Sequence, residues 1–289
     1  MAYHSNGPGW LILHGDYRDT CKHAAGLVDL VACSPPYADA RAYGANVSWT
    51  DANYAALGDA VFAALKPGGH ALINVDAPVR EWRSGFGTER GFHPWRLMLD
   101  WAEHIGFRVP DRLAFGRQGQ VGEYAGRFRN DWEPLLWFQK PGAAGFFDKM
   151  PLTEAATYQR KVGTATQAGR ENSGDIQRVR AYSGDAAEKQ TKRRGTQWQY
   201  GSVGKGHSGA PDIEAANHPA RWPYRLAEDI VRCFCPPGGL VLDPFVGAGT
   251  TVAAALAHGR TAIGGDFDVQ WLDKATNILR ARQALAPPE

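Results

Sequence analysis

The stretch Gly239-Leu240-Val241-Leu242-Asp243-Pro244-Phe245-Val246-Gly247-Ala248-Gly249-Thr250-Thr251 leaves this chain few architectures to adopt. An apolar run ends in an acid and a proline. Two glycines follow within a few residues, then a segment of helical composition that reaches His258. That order spells strand, tight turn, helix. Glycine allows backbone conformations closed to other residues and lets a ligand approach the chain closely. A buried strand that feeds directly into a helix belongs to a mostly parallel sheet covered by helices on both faces.

The rest of the chain repeats the same alternation. Trp10 to Asp16 reads as a strand ending in a turn, and Val28 to Cys33 as a buried strand. Tyr54 to Leu65 has helical apolar spacing, stopped by Lys66-Pro67-Gly68-Gly69, and His70 to Val75 is the next strand. His93 to Ile105 reads as one amphipathic helix and Trp132 to Phe138 as an aromatic strand. After a region of different character come a helix over Pro223–Cys233, a strand over Gly239–Leu242 and a helix over Thr250–His258. A strand over Thr261–Gly265 and a last helix over Trp271–Leu285 complete the chain. The fold expected is α/β and Rossmann-like, in three parts: residues 1–142, an insertion at 143–216, and residues 217–289.

At 289 residues the chain has room for one large α/β domain with an insertion. No apolar stretch is long enough to span a bilayer. The first residues lack a basic segment followed by an apolar one, so no signal peptide and a cytoplasmic location are expected. The four cysteines, Cys21, Cys33, Cys233 and Cys235, form no C-x-x-C pair, and no metal site is expected. The net charge of +2 says little. Its distribution says more: Tyr158 to Gly206 carries ten basic and four acidic residues, a local excess of six positive charges that suits a polyanion.

Two motifs carry chemistry. The glycine turn after Leu242 sits beyond the carboxyl end of a strand, the usual ligand position in open α/β sheets. Asp266 ends the next strand, where an acid can accept hydrogen bonds from ribose hydroxyls. The loop has no lysine, so it is not a P-loop, and Val252 replaces the third glycine of a dinucleotide fingerprint. The other motif is Ser34-Pro35-Pro36-Tyr37, at the end of an apolar strand. An amine on a nucleobase attacks poorly because its lone pair is delocalised into the ring. The Ser34 hydroxyl and the Pro35 carbonyl, held by two prolines, suit accepting its two N–H groups. Tyr37 offers a face on which an extruded base can stack. Cys33 would support a covalent carbon-5 mechanism only as an activated thiolate, and it lies in an apolar strand. Together the motifs point to methyl transfer from S-adenosylmethionine to an exocyclic amine.

The motif order closely resembles that of the beta class of amino-specific DNA methyltransferases. Gly15-Asp16 comes first, then Ser34-Pro35-Pro36-Tyr37, Leu65-Lys66-Pro67-Gly68-Gly69 and Asn130-Asp131-Trp132-Glu133. After an irregular region follow His218-Pro219-Ala220-Arg221-Trp222-Pro223 and the Asp243 turn. The resemblance implies a seven-stranded sheet in circularly permuted order, a target-recognition insertion and S-adenosylmethionine as donor. It places Asp243, Pro244, Phe245, Gly247, Gly249 and Thr250 along the methionine side of the donor, and His218 and Pro219 near its amino-acid end. Asp266 takes the place of the ribose-binding acid, commonly Glu, and Asp16 that of the acid near the adenine ring. The family pattern usually has Phe where Trp222 stands.

Serine at position 34 looks more like the cytosine-N4 enzymes than the adenine-N6 enzymes, without excluding adenine. Within the insertion, Arg178, Arg180, Lys192, Arg193 and Arg194, with the aromatic Trp198, are the candidate contacts to double-stranded DNA. Three alternatives stand beside cytosine-N4 transfer: adenine-N6 transfer on the same fold, a nucleic-acid-binding relative without catalysis, and transfer to RNA or a small molecule. The target sequence stays open, as do a monomer against a homodimer and a cognate restriction endonuclease against a solitary enzyme.

Overall fold

The computed structural model describes residues 2–37, 49–77, 79–81, 88–117, 128, 130–155, 169–170, 176–177, 191–200, 210–216 and 222–285. These divide into two compact units. The first comprises Met1–Pro151 and Gly195–Glu289, and the second Leu152–Arg194.

The first unit is built on a sheet of nine strands among the described residues. In chain order they are β1 (Ala2–Gly7), β2 (Trp10–His14), β3 (Val28–Cys33), β4 (Leu65–Asn74), β5 (Arg112–Arg117), β6 (Trp132–Gln139), β7 (Gln197–Tyr200), β8 (Leu240–Asp243) and β9 (Thr261–Asp266). Their spatial order is β1-β2-β9-β8-β3-β4-β6-β5-β7. The pairs from β2 through β4 are parallel. Strand β6 runs antiparallel to β4 and to β5, and β1 is an antiparallel edge on β2. The sheet thus exceeds the expected seven strands by an edge strand at each end.

Helices α1 (Tyr17–His23), α2 (Asp51–Ala64) and α3 (His93–Asp100) follow the early strands, and a short α4 spans Pro211–Ala215. Helices α5 (Tyr224–Phe234), α6 (Thr250–Ala257) and α7 (Val269–Leu285) accompany the late ones. Central strands bury both faces: Leu30, Val31 and Ala32 of β3 and Ala71, Leu72 and Ile73 of β4 have no exposure. Such strands read as continuous apolar runs, which is why they were legible. Each fully buried Leu or Ile contributes about 1.5–3 kcal/mol relative to exposure.

Local chemistry fixes the ends. Asp29 accepts from Lys66 Nζ at 2.9 Å and from the Leu240 amide at 2.8 Å, tying the starts of β3, β4 and β8 together. Lys140 Nζ donates to the Phe62 and Leu65 carbonyls at 2.7 and 2.8 Å and so caps the end of α2. Lys66 to Gly69 end that helix as expected but are already part of β4. The expected helix over His93–Ile105 is α-helical only to Asp100. Trp101–Ile105 widen into a π turn, in which the fully buried Trp101 indole donates to the Tyr54 carbonyl at 2.9 Å.

The connections reverse direction between β3 and β8. From β3 the chain crosses through α2 to β4 on one side, and from β8 it crosses through α6 to β9 on the other. Because parallel crossovers are right-handed, α2 and α6 lie on opposite faces and a crevice opens between the carboxyl ends of β3 and β8.

In the second unit, Thr153–Ala155 pairs antiparallel with Thr191–Arg193, and Gly169–Arg170 with Ile176–Gln177. Among the described residues, no helix is long and apolar enough to cross a membrane.

Candidate active site

The register puts the two motifs side by side. Val241 faces Leu30 and Leu242 faces Val31, so Asp243 stands level with Ala32 and the two loops leave the sheet together. Aromatic side chains then join them. The Tyr54 hydroxyl donates to the Pro36 carbonyl at 2.9 Å. Trp49 lies 5.3 Å from the Tyr54 ring and 5.4 Å from Phe245, and Tyr17 lies 5.5 Å from Phe245. Ser34 through Tyr37 and Asp243 through Phe245 therefore border one crevice, at the position where ligands bind in open α/β sheets.

On the β8 side the turn is tightly held. The Val246 amide donates to the Gly265 carbonyl and the Gly249 amide to the Val246 carbonyl, both at 2.8 Å. Gly249 opens α6 with φ of 86°, and Gly247 has φ of 46°. A Cβ on Gly249 would lie 3.2 Å from Ala275 Cβ. Asp243 is 5% exposed and its Oδ1 accepts from the Phe245 amide at 3.0 Å. Burial pushes its carboxyl up to about 7; the hydrogen bonds from Thr251 and Phe245 oppose this, and the nearby Asp266 adds to it.

Asp266 accepts from the Gly247 amide through Oδ2 and from the Asp268 amide through Oδ1, each at 3.0 Å. Burial raises its carboxyl too, while the amides of Asp268 and Gly247 pull it down. Its reach is short: Oδ2 braces the glycine turn and Oδ1 the residues that follow β9. Asp16 lies on the next loop along the edge, because His14 pairs with Asp266 and the Gly15 amide donates to the Asp266 carbonyl at 3.0 Å. Asp16 caps α1, accepting from the Arg18 amide at 2.8 Å. Phe267, directly after Asp266, is 46% exposed and was not among the residues the sequence singled out. An aromatic residue directly after a strand-ending acid was the available signal.

On the β3 side, Ser34 is half-buried and Pro35, Pro36 and Tyr37 are buried. The Ser34 hydroxyl donates to Tyr37 Oη at 3.2 Å. Tyr37 Oη in turn lies 3.0 Å from both Asn74 Oδ1 and Glu133 Oε2. The expectation that Tyr37 presents an open face needs correction. The ring is 4% exposed and belongs to the core, because buried polar partners draw its hydroxyl inward. Asn74 is completed by the Pro134 carbonyl and the Trp222 indole, both at 3.0 Å. Asn74, Glu133 and Trp222 come from three elements far apart in sequence, so no local pattern reveals their meeting. Beside them, Asp76 accepts from Arg90 at 2.7 Å and from Asn130 at 3.1 Å.

Cys33 is buried within this core, and burial drives its thiol well above the ordinary range. It has no activated thiolate for covalent attack. Among the described residues, no group of three His, Cys, Asp or Glu side chains is placed to hold a metal ion.

The remaining expected contacts are distributed differently. Arg178, Arg180, His218 and Pro219 lie outside the described residues. Lys192 and Arg193 lie on the short strand paired with Thr153–Ala155, and Arg194 follows them. Trp198 is a correction. It sits on β7 in the main sheet, 3% exposed, stacked near Phe234 and donating to the Gly195 carbonyl at 3.0 Å. Alternation along β7 turns Trp198 and Tyr200 inward, so Trp198 is a packing residue.

Comparison with known proteins agrees with this geometry. A family profile described as DNA methylase, named for N6 and N4 transfer, matches residues 28–277. The orphan methyltransferase M.BamHII of Bacillus amyloliquefaciens is 25% identical over 254 residues, which cover 88% of this chain and 89% of that protein. Among solved structures, the cytosine-N4-specific PvuII DNA methyltransferase superposes with a TM-score of 0.64 at 16% identity, covering 93% of this chain and 85% of that one. A putative DNA modification methylase of Thermus thermophilus, in complex with S-adenosyl-L-methionine, gives a TM-score of 0.60 at 20% identity and covers 93% of each chain. At these identities both solved structures speak for the fold.

Proposed function

The chain belongs to the N6/N4 DNA methylase family, and from that premise we propose that it moves a methyl group from S-adenosylmethionine to the exocyclic N4 of cytosine in double-stranded DNA. The observation that carries this reading is the level exit of Ser34–Tyr37 and Asp243–Gly249 from adjacent parallel strands. One loop suits the amine and the other the donor.

The residues fit the donor. Positive-φ glycines let the turn bend tightly at the strand end, and a Cβ on Gly249 would crowd Ala275 of α7. The buried Asp243 carboxyl suits a cationic group, and the exposed Phe267 ring suits a flat one. When bound, S-adenosylmethionine supplies an electrophilic methyl. Ser34 Oγ, having donated its own hydrogen to Tyr37, keeps lone pairs with which to accept an amine N–H. The loop prolines and the Tyr54 bond to Pro36 hold that acceptor still, so orientation is settled before the base arrives. Transfer is then in line, from donor to nitrogen, with the base flipped out of the duplex.

Serine at position 34 supports cytosine-N4, and the cytosine-N4 specificity of the PvuII enzyme, which shares this fold, agrees with it. The family also includes adenine-N6 transfer, which is the second reading. The division into 1–142, 143–216 and 217–289 assigns target reading to the middle part. There Arg178, Arg180, Lys192, Arg193 and Arg194 contact phosphates or bases. The test is to incubate the protein with mixed-sequence DNA and S-adenosylmethionine, digest to nucleosides and identify the product by mass spectrometry. N4-methylcytosine supports the proposal. N6-methyladenine transfers it to the second reading, and an unmodified digest refutes both.

A further inference from the structure

Beside the crevice the sheet rises as a wall. Ile73 of β4 stands level with Cys33 of β3 and with Leu136 of β6, so the level of Ser34 falls at Leu135. Strand β6 starts at Trp132, about three residues or 10 Å beyond that level. Strands β5 and β7 rise with it, because Trp132 pairs with Gly116 and Gly116 with Gln199. Directly paired residues share a face, so these three form one row. The other face is packed: the Phe115 and Tyr200 rings meet there, and Trp198 stacks near Phe234. One residue on from Trp198, alternation turns Gln199 outward, where it is exposed, and Trp132 is 43% exposed. Gly116 decides where the amide lies. A Cβ there would collide with the Gln199 amide, whose carbon, oxygen and nitrogen come nearly equally close. The amide is therefore flat on the glycine, one strand nearer to Trp132. Among the described residues, neither this amide nor the Trp132 indole N–H has a hydrogen-bond partner. The stretch leading into Trp132 is held by Asn130, which donates to Asp76 at 3.1 Å.

We propose that this row reads DNA beside the target: the Gln199 amide recognises one neighbouring base, and Trp132 packs on the strand between that base and the target. The inference rests on the methyltransferase reading above. Two observations favour DNA as the occupant. The first is continuity with the crevice. At about 4.8 Å per strand, Trp132 lies about 10 Å across the sheet from β3, and the amide, over β5, about 14 Å. These are roughly three and four base-pair steps of 3.4 Å. A duplex that delivers a base to Ser34 therefore passes over both. The second is the chemistry of the pair. A flat amide held at one orientation offers a donor and an acceptor side by side, which match N7 and N6 of adenine in the major groove. An indole offers a stacking face indifferent to sequence. Strand β7 falls within the segment 143–216 yet pairs into the main sheet, and Lys192, Arg193 and Arg194 precede it in the chain. Gln199 is a specificity-determining residue here, and it touches no reacting atom.

The test is to methylate mixed-sequence duplex DNA with S-adenosylmethionine and to sequence the modified sites, for the unaltered protein and three variants. The unaltered protein should prefer adenine at one position within about four base pairs of the methylated base. Gln199→Ala should weaken that preference by about 10-fold or more and leave the other positions and the donor affinity as they were. Gln199→Glu keeps the shape but replaces the donor by an acceptor, so the preference should move from adenine to cytosine. That gain is read only from folded, active protein. Trp132→Ala should weaken duplex affinity about 10-fold, equally for preferred and unpreferred sequences. Unchanged preferences in both Gln199 variants overturn the proposal. So does an even loss of preference at every position, or a normal duplex affinity in Trp132→Ala. The methylated nucleoside is verified first. Its absence with the unaltered protein refutes the methyltransferase reading, whereas its presence with unchanged preferences in the variants refutes the reading row alone.

Discussion

Replacing Asp243 by Asn should make the ligand-free protein more stable at pH 8 and less stable, by about 1 kcal/mol, at pH 4. The carboxyl is 5% exposed, and burial raises it from 3.8 to about 7. At about 1.4 kcal/mol per factor of ten, that difference corresponds to roughly 4 kcal/mol. Below pH 4 the group is protonated both folded and unfolded, so its ionisation contributes nothing. Between pH 4 and 7 the unfolded chain gives up the proton while the folded chain retains it. Stability therefore falls as pH rises and levels off above pH 7. Asn carries no such penalty. It keeps an oxygen for the Phe245 amide, and rearranging the Thr251 bond costs about 1 kcal/mol. The net gain at pH 8 is about 3 kcal/mol, or roughly 6–12 °C in melting temperature. Melting is followed by circular dichroism from pH 4 to 8, with and without S-adenosylmethionine. The cationic donor should restore stability in the unaltered protein most at pH 8 and help the Asn variant little. Parallel melting curves for the two proteins across this pH range would refute the assignment of Asp243 as a buried acid held for a cation.

Further outcomes follow from the same geometry. Ser34→Ala should lower turnover by about 100-fold with donor affinity unchanged by calorimetry, since it removes an acceptor used by the amine. Gly249→Ala imposes a left-handed backbone on a residue with a Cβ, costing about 1–2 kcal/mol, and crowds Ala275; melting should fall by roughly 2–8 °C and donor affinity should drop. Cys33→Ala should transfer methyl groups at close to the normal rate, because its thiol is held in the unreactive form; loss of transfer in a folded variant would reopen the covalent route.

Much of this was legible in the sequence where one rule dominated. The buried strands β3, β4, β6, β8 and β9 announced themselves as apolar runs, and the Asp243 turn by its glycines. Edge strands did not. Ala-Tyr-His-Ser-Asn-Gly in β1 and Gln-Trp-Gln-Tyr in β7 are short and half polar, and pairing with an existing sheet, more than composition, makes them strands. That is also why Trp198, read beside a basic run, lies in the core. Ser34 was identifiable from its loop. Asn74, Glu133 and Trp222 were not identifiable as its supports, because their meeting depends on the register of β4 against β6 and on a segment from the far end of the chain. Tyr37 was read as an open stacking face, and its burial follows from those same hidden partners.

The most direct test of the whole account is a crystal structure with S-adenosylmethionine and a DNA duplex containing the target base. An amine nitrogen about 3 Å from Ser34 Oγ and a methyl carbon about 3–3.5 Å from that nitrogen place the methyl within about 6.5 Å of Ser34 Oγ. A donor seated in the Asp243–Gly249 turn at that distance, with the flipped base between, is the result expected. A donor bound elsewhere, or a methyl more than about 10 Å from Ser34 in the closed complex, would contradict the claim that these two loops build one reaction centre.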